Sequence, residues 1–184
     1  MKYTYVNQKN IKLEAELLDN EIIIKTTKKE IHEIKKYKYN EIKTINLSVI
    51  EINWYGITIV FNHGFKVHLK SISFGKATIG SSIGHHSQDY IDFVDGLHTK
   101  ILNKKLENSI KFTQGNPLIF VLLSLLMIFI AFFLVPMAIE MGKKLIFFTF
   151  IIPASIFVIS YMKRLGFIKK YKPNELPEKY LPKV

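Results

Sequence analysis

The sequence predicts an α+β chain in three parts: a β-rich domain over residues 1–112, a transmembrane α-helical hairpin over 113–162, and a basic tail over 163–184. Three features carry this reading. Residues 11–74 hold short runs in which Val, Ile, Tyr and Phe alternate with polar side chains, the period-two mark of strands. One later stretch has apolar residues at helical spacing. No charged residue lies between Lys111 and Glu140, and none between Lys144 and Lys163.

The strands come first. An isoleucine-rich run covers Glu21 to Lys25, and Tyr37 and Tyr39 alternate with Lys36 and Lys38. Ile57, Ile59 and Phe61 precede Asn62-His63-Gly64, and Phe65, Val67 and Leu69 follow it. That is a hairpin signal, because glycine supplies the positive φ of a tight turn. A small-residue loop, 75–86, leads to Ser87, a helix cap, with Asp89 in the first turn. Tyr90, Phe93, Val94, Leu97 and Ile101 fall on one face of the helix that follows. It should end between Asn103 and Asn108.

Six or seven strands closed by one amphipathic helix is the element order of a pleckstrin-homology-like (PH-like) barrel. Tyr39-Asn40-Glu41-Ile42-Lys43-Thr44-Ile45 resembles a stretch of bacterial PH-like domains. The closing helix at 88–105 and the linkage to paired membrane helices are similar too. The resemblance covers about residues 10–105. It implies an antiparallel β-barrel closed by a C-terminal helix, no catalytic residue, and a scaffold for membrane-associated binding or assembly.

Residues 118–139 would extend about 33 Å as a helix, and 145–162 about 27 Å, against a hydrocarbon core of ~30 Å. Glu140-Met141-Gly142-Lys143-Lys144 between them allows only a tight hairpin, so both chain ends would lie on one side. Lys100, Lys104, Lys105 and Lys111 precede the spans, and Lys163, Arg164, Lys169, Lys170, Lys172 and Lys179 follow them. This excess over the connector places both termini in the cytoplasm of an inner-membrane, multi-pass protein. The spans carry Ser124, Thr149, Ser155 and Ser160 but no ionisable group. They read as an anchor rather than a transport path.

Net charge is +11, and residues 117–184 hold nine basic and three acidic side chains. Lys163, Arg164, Lys169, Lys170 and Lys172, interleaved with Leu165, Phe167, Ile168 and Tyr171, suit contact with an anionic lipid surface. Nucleic acid is not the expected partner. Pro173, Pro177 and Pro182 argue against helix, and a disordered extended tail is expected.

Little else suggests chemistry. With no cysteine, disulfides, thiolate metal sites and cysteine nucleophiles are excluded. The N-terminus has no apolar h-region, so no cleaved signal peptide is expected. Gly80-Ser81-Ser82-Ile83-Gly84 matches G-x-S-x-G, but a mostly β domain of this size cannot supply the α/β sheet that a nucleophile elbow needs. Gly75-Lys76-Ala77-Thr78 lacks the rest of a P-loop. His63, His68, His85 and His86 fit no standard metal spacing. Trp54-Tyr55 and the lysines at 25, 28, 29, 35, 36 and 38 read as a solvated face.

The expectation is a membrane-anchored, non-enzymatic binding or scaffold module without cofactor. It would recruit or regulate a protein partner at the cytoplasmic face, with self-assembly as one mode. Lys36, Lys38 and Lys43 mark the candidate partner edge. The alternative is a membrane-embedded immunity or envelope-stress component, or an accessory subunit acting through its hairpin. Discriminating them needs the behaviour of residues 1–112 alone. High Lys, Ile and Asn usage suggests a bacterial source.

Overall fold

The computed structural model describes residues 1–7, 9, 11–51, 54–74, 83–85, 87–136, 151–165 and 168–182. The chain divides into two units, Met1–Gln114 with Lys169–Val184, and Gly115–Ile168.

In the first unit, alternation builds a four-stranded antiparallel meander. Its strands are β1 (Lys2–Val6), β2 (Ile11–Leu17), β3 (Glu21–Lys28) and β4 (Ile31–Lys38), in that order. Tyr3, Tyr5, Ala15, Leu17, Ile22 and Ile24 face inward and are buried. Lys29, at φ 55°, closes the turn from β3 to β4 in the left-handed region.

A second sheet begins after a short 3-10 turn at Tyr39–Glu41. It contains β5 (Ile42–Glu51), β6 (Trp54–Phe61) and β7 (Lys66–Lys70), joined antiparallel. Gly64 sits at φ 79°, and its N–H donates to the Phe61 carbonyl at 2.9 Å, so the anticipated β6–β7 turn forms with glycine in the left-handed position. A small separate ladder pairs β8 (Ile72–Phe74) with β9 (Ile83–His85). Helix α1 (Ser87–Asn103) follows, and Tyr90, Phe93, Val94, Leu97 and Ile101 are fully buried on it. At about 2 kcal/mol each, these five side chains contribute on the order of 10 kcal/mol of gross apolar burial.

Two late strands complete the second sheet. β10 (Lys111–Gln114) runs parallel to β5, pairing Phe112 with Ile45, and β11 (Lys169–Lys170) runs antiparallel to β10. The sheet order is therefore β11-β10-β5-β6-β7.

Two sequence expectations about architecture are corrected here. Among the described residues the PH-like closed barrel is not formed: the first unit contains open sheets, and no ladder joins β4 to β5. The reason is local. The Glu41 carboxylate accepts the Lys38 N–H at 2.6 Å, and Asn62 N–H donates to the Glu41 carbonyl at 2.8 Å, so the chain leaves the first sheet there. The other side of β5 is then taken by β10. The tail is also not disordered over its described length. Tyr180 is buried, and Tyr171, Leu176 and Leu181 pack on the core.

The second unit contains α2 (Pro117–Phe129), a π-helical turn at Ile130–Leu134, and α3 (Ile152–Leu165). Ile130 and Ile151 pack together with Met127, Leu134 and Val135. Phe132, Phe133 and Phe157 are exposed. The transmembrane hairpin at 118–139 and 145–162 is corrected: among the described residues, no helix is long and apolar enough to cross a membrane. Within the described residues α2 has 13 residues of regular α-helix, and the π-helical turn at Ile130–Leu134 interrupts that geometry. Pro136 has no N–H, and its ring crowds the carbonyl four residues back. The preceding turn widens, and the Val135 N–H reaches the Ile130 carbonyl, five residues away. Residues 137–150, which include the connector, lie outside the described residues. The multi-pass inner-membrane location with cytoplasmic termini rested on those spans and falls with them.

Candidate functional site

Strand β4 terminates the first sheet, and among the described residues its outer edge pairs with no other strand. An open edge presents a row of N–H and C=O groups and is a template for another chain. Natural edges are usually blunted by charge, and β4 is only partly so: Ile31 is 71% exposed and Ile34 59% exposed. Three residues apart on a strand, these isoleucines project to opposite faces, so alternation cannot bury both.

The charges on β4 are ordered. Lys35 Nζ lies 2.8 Å from Glu33 Oε1 and 4.3 Å from the centre of the Phe65 ring. The hydrogen bond that Lys35 donates to Glu33 is the leading cause that raises its ammonium above the ordinary range. Lys36 Nζ is 3.8 Å from Glu21. Tyr37 stacks on Phe61 with ring centres 4.0 Å apart and on Phe65 at 5.4 Å, which fixes the C-terminal half of the strand to the β6–β7 hairpin. Beyond it, Lys38, Tyr39 and Asn40 line an open groove of about 430 Å³ with Asn20, Lys104 and Leu106.

Of the expected partner-edge residues, Lys36 and Lys38 lie on β4, while Lys43 lies on β5 in the other sheet, beside a register shift. Of the expected lipid-contact residues, Lys163 and Arg164 lie on α3 in the second unit. Lys169, Lys170 and Lys172 belong to the first unit and are exposed. The five basic residues are thus divided between two units. Sequence reasoning passed over Ile31, Glu33 and Ile34. The signal available for them was the three-residue isoleucine spacing on a strand.

The histidines have separate local partners. His63 Nε2 lies 3.3 Å from Glu41, and His68 Nδ1 is 2.7 Å from the Thr58 hydroxyl. Burial, then Lys70, lowers the His68 pKa. Among the described residues no cluster of three or more His, Asp or Glu could hold a metal ion. Ser82, His86 and the segment 75–82 lie outside the described residues.

A second feature joins α1 to the C-terminal segment. His98 is buried, with Nδ1 2.7 Å from the Val94 carbonyl and Nε2 2.8 Å from the Tyr171 hydroxyl. A carbonyl only accepts, so Nδ1 carries the proton and Nε2 accepts from Tyr171. Burial lowers the His98 pKa to about 4, and burial raises that of the Tyr171 phenol. Both groups are neutral at ordinary pH. Beside them Glu107, Lys111, Phe112, Lys170, Tyr171 and Asn174 line part of a groove of about 650 Å³.

No family model, no curated protein and no solved structure matches this chain. The resemblance to bacterial PH-like domains therefore finds no support in either the comparisons or the open sheets.

Proposed function

We propose that the β-rich unit is a non-enzymatic binding module that recruits or regulates a protein partner through the edge of β4. The observation that carries this reading is the open strand itself, with Ile31 and Ile34 exposed on an edge that pairs with no other strand among the described residues. Strand addition uses such an edge: main-chain hydrogen bonds give affinity, and alternate side chains give selectivity. The lysines at 35, 36 and 38 favour a partner strand bearing acidic side chains at alternate positions.

The test is affinity purification of the full-length chain from its native cells, set beside the Ile31→Lys/Ile34→Lys variant. Both substitutions lie at exposed positions and should leave the fold intact. A stoichiometric protein retained by the wild type and lost from the variant is the expected outcome. Equal retention by both would refute the edge as the binding surface.

A further inference from the structure

We propose that the partner taken by the β4 edge is a second copy of this chain, paired antiparallel about a two-fold axis through Ile34. The inference rests on the edge being the binding surface, and names its occupant.

The strand sequence is self-complementary in one register. With Ile34 opposite its own copy, Glu33 stands opposite Lys35 and Lys35 opposite Glu33. Ile31 meets Tyr37 on both sides, and Glu30 meets Lys38 on both sides. His32 faces Lys36. Two isoleucines, two apolar–aromatic pairs and two opposite-charge pairs thus form from one strand and its rotated copy, and Glu30 in the turn before β4 adds the two with Lys38. Directly opposed pairs of these kinds are the stabilising units of an antiparallel ladder.

Neighbouring registers are poorer. Centring on Glu33 sets Glu33 against Glu33 and Ile31 against Lys35. Centring on Lys35 sets lysine against lysine and Ile34 against Lys36. Shifting the axis to between Ile34 and Lys35 places both isoleucines opposite lysines. A parallel in-register pair would stack every charge on its like. Alternation separates the faces consistently in the favoured register: Ile31, Glu33, Lys35 and Tyr37 share one face, and His32, Ile34, Lys36 and Lys38 the other. The interface is isologous, so it closes at two copies instead of growing into a fibre. The two meanders would become one continuous sheet through β4.

The chain has no cysteine, which makes the test direct. In an antiparallel pair, facing Cα atoms lie about 4.5–5.5 Å apart, within reach of a disulfide. The full-length Ile34→Cys variant should therefore form a covalent dimer under mild oxidation. Lys38→Cys should not, because its copy would lie about 27 Å away along the strand. Sedimentation should show that Glu33→Lys weakens the dimer on the order of tenfold and that Glu33→Lys/Lys35→Glu restores it. Cross-linking of Ile34→Cys no faster than Lys38→Cys, or no rescue by the double reversal, would overturn self-pairing. If self-pairing fails while Ile31→Lys/Ile34→Lys still releases a different protein, the binding-module reading stands with another occupant. If that variant releases nothing either, both readings fall.

Discussion

Replacing His98 with glutamine should remove about 2 kcal/mol of the acid sensitivity of the first unit between about pH 7.5 and pH 5. In the native protein His98 is held neutral, with a pKa near 4 against 6.5 for an unperturbed histidine. The sign follows from proton binding. Below pH 6.5 the unfolded chain takes up a proton at His98 that the folded chain does not, so acid favours unfolding. Near pH 5 the difference amounts to about 2 kcal/mol, and near pH 4 it approaches 3 kcal/mol. Above pH 6.5 both states are neutral at this position and the contribution is flat. Glutamine keeps a polar side chain to meet the Tyr171 hydroxyl and cannot titrate. Urea unfolding followed by the emission of Trp54, the sole tryptophan, reports on the first unit. Wild type should lose about 2 kcal/mol more than His98→Gln on going from about pH 7.5 to pH 5. Parallel pH profiles for the two proteins would refute the buried neutral imidazole and the hydrogen-bond assignment that depends on it.

Other perturbations follow from the same contacts. Tyr171→Phe leaves Nε2 of His98 without its donor and should lower the urea-unfolding free energy by about 1–2 kcal/mol; an unchanged midpoint would mean the bond is not made in solution. The Tyr90 hydroxyl is buried and has no hydrogen-bond partner among the described residues, so Tyr90→Phe should be neutral or stabilising by up to about 1 kcal/mol. A clear loss of thermal stability in that variant would reveal an unseen partner. Gly64→Ala forces a Cβ into the left-handed region and should cost about 1 kcal/mol by thermal denaturation, with Gly64→Asn costing less. If alanine and asparagine behave alike, backbone conformation is not what glycine supplies there.

Local signals carried part of this structure and stopped where distant residues decide. The β6–β7 turn was legible because Gly64 marks it, and α1 because five apolar residues repeat at helical spacing. The break between the sheets was not. It depends on the Glu41 carboxylate satisfying Lys38 N–H and on Asn62 bonding back to Glu41, whereas residues 39–45 read alone as one extended stretch. Strand β10 has four residues and its partner β5 lies far back in the chain, so no local pattern announces it. The ordering of Tyr171 depends on His98, which lies beside Leu97 and could have been placed on the buried helix face by spacing alone. Hydropathy counted the apolar residues of the second unit but carried no information on the π-helical turn at Ile130–Leu134. At the candidate edge, Lys36 and Lys38 were visible as charges. The exposure of Ile31 and Ile34 required knowing that, among the described residues, β4 has no strand on its outer side.

Gln114 and Lys169 are register partners on β10 and β11, although 54 residues, 115–168, separate them along the chain. The second unit is in this sense an insertion into a β-hairpin: the chain departs from one strand and returns on the strand beside it. Closing so long a loop costs about 3 kcal/mol more entropy than closing a two-residue turn. Joining Gln114 to Lys169 through Asn-Gly should therefore strengthen the β10–β11 pairing rather than weaken it. What looks in the sequence like a head followed by a tail is, in connectivity, one fold written in two instalments, with the helical unit as a parenthesis that the fold of the first can be read without.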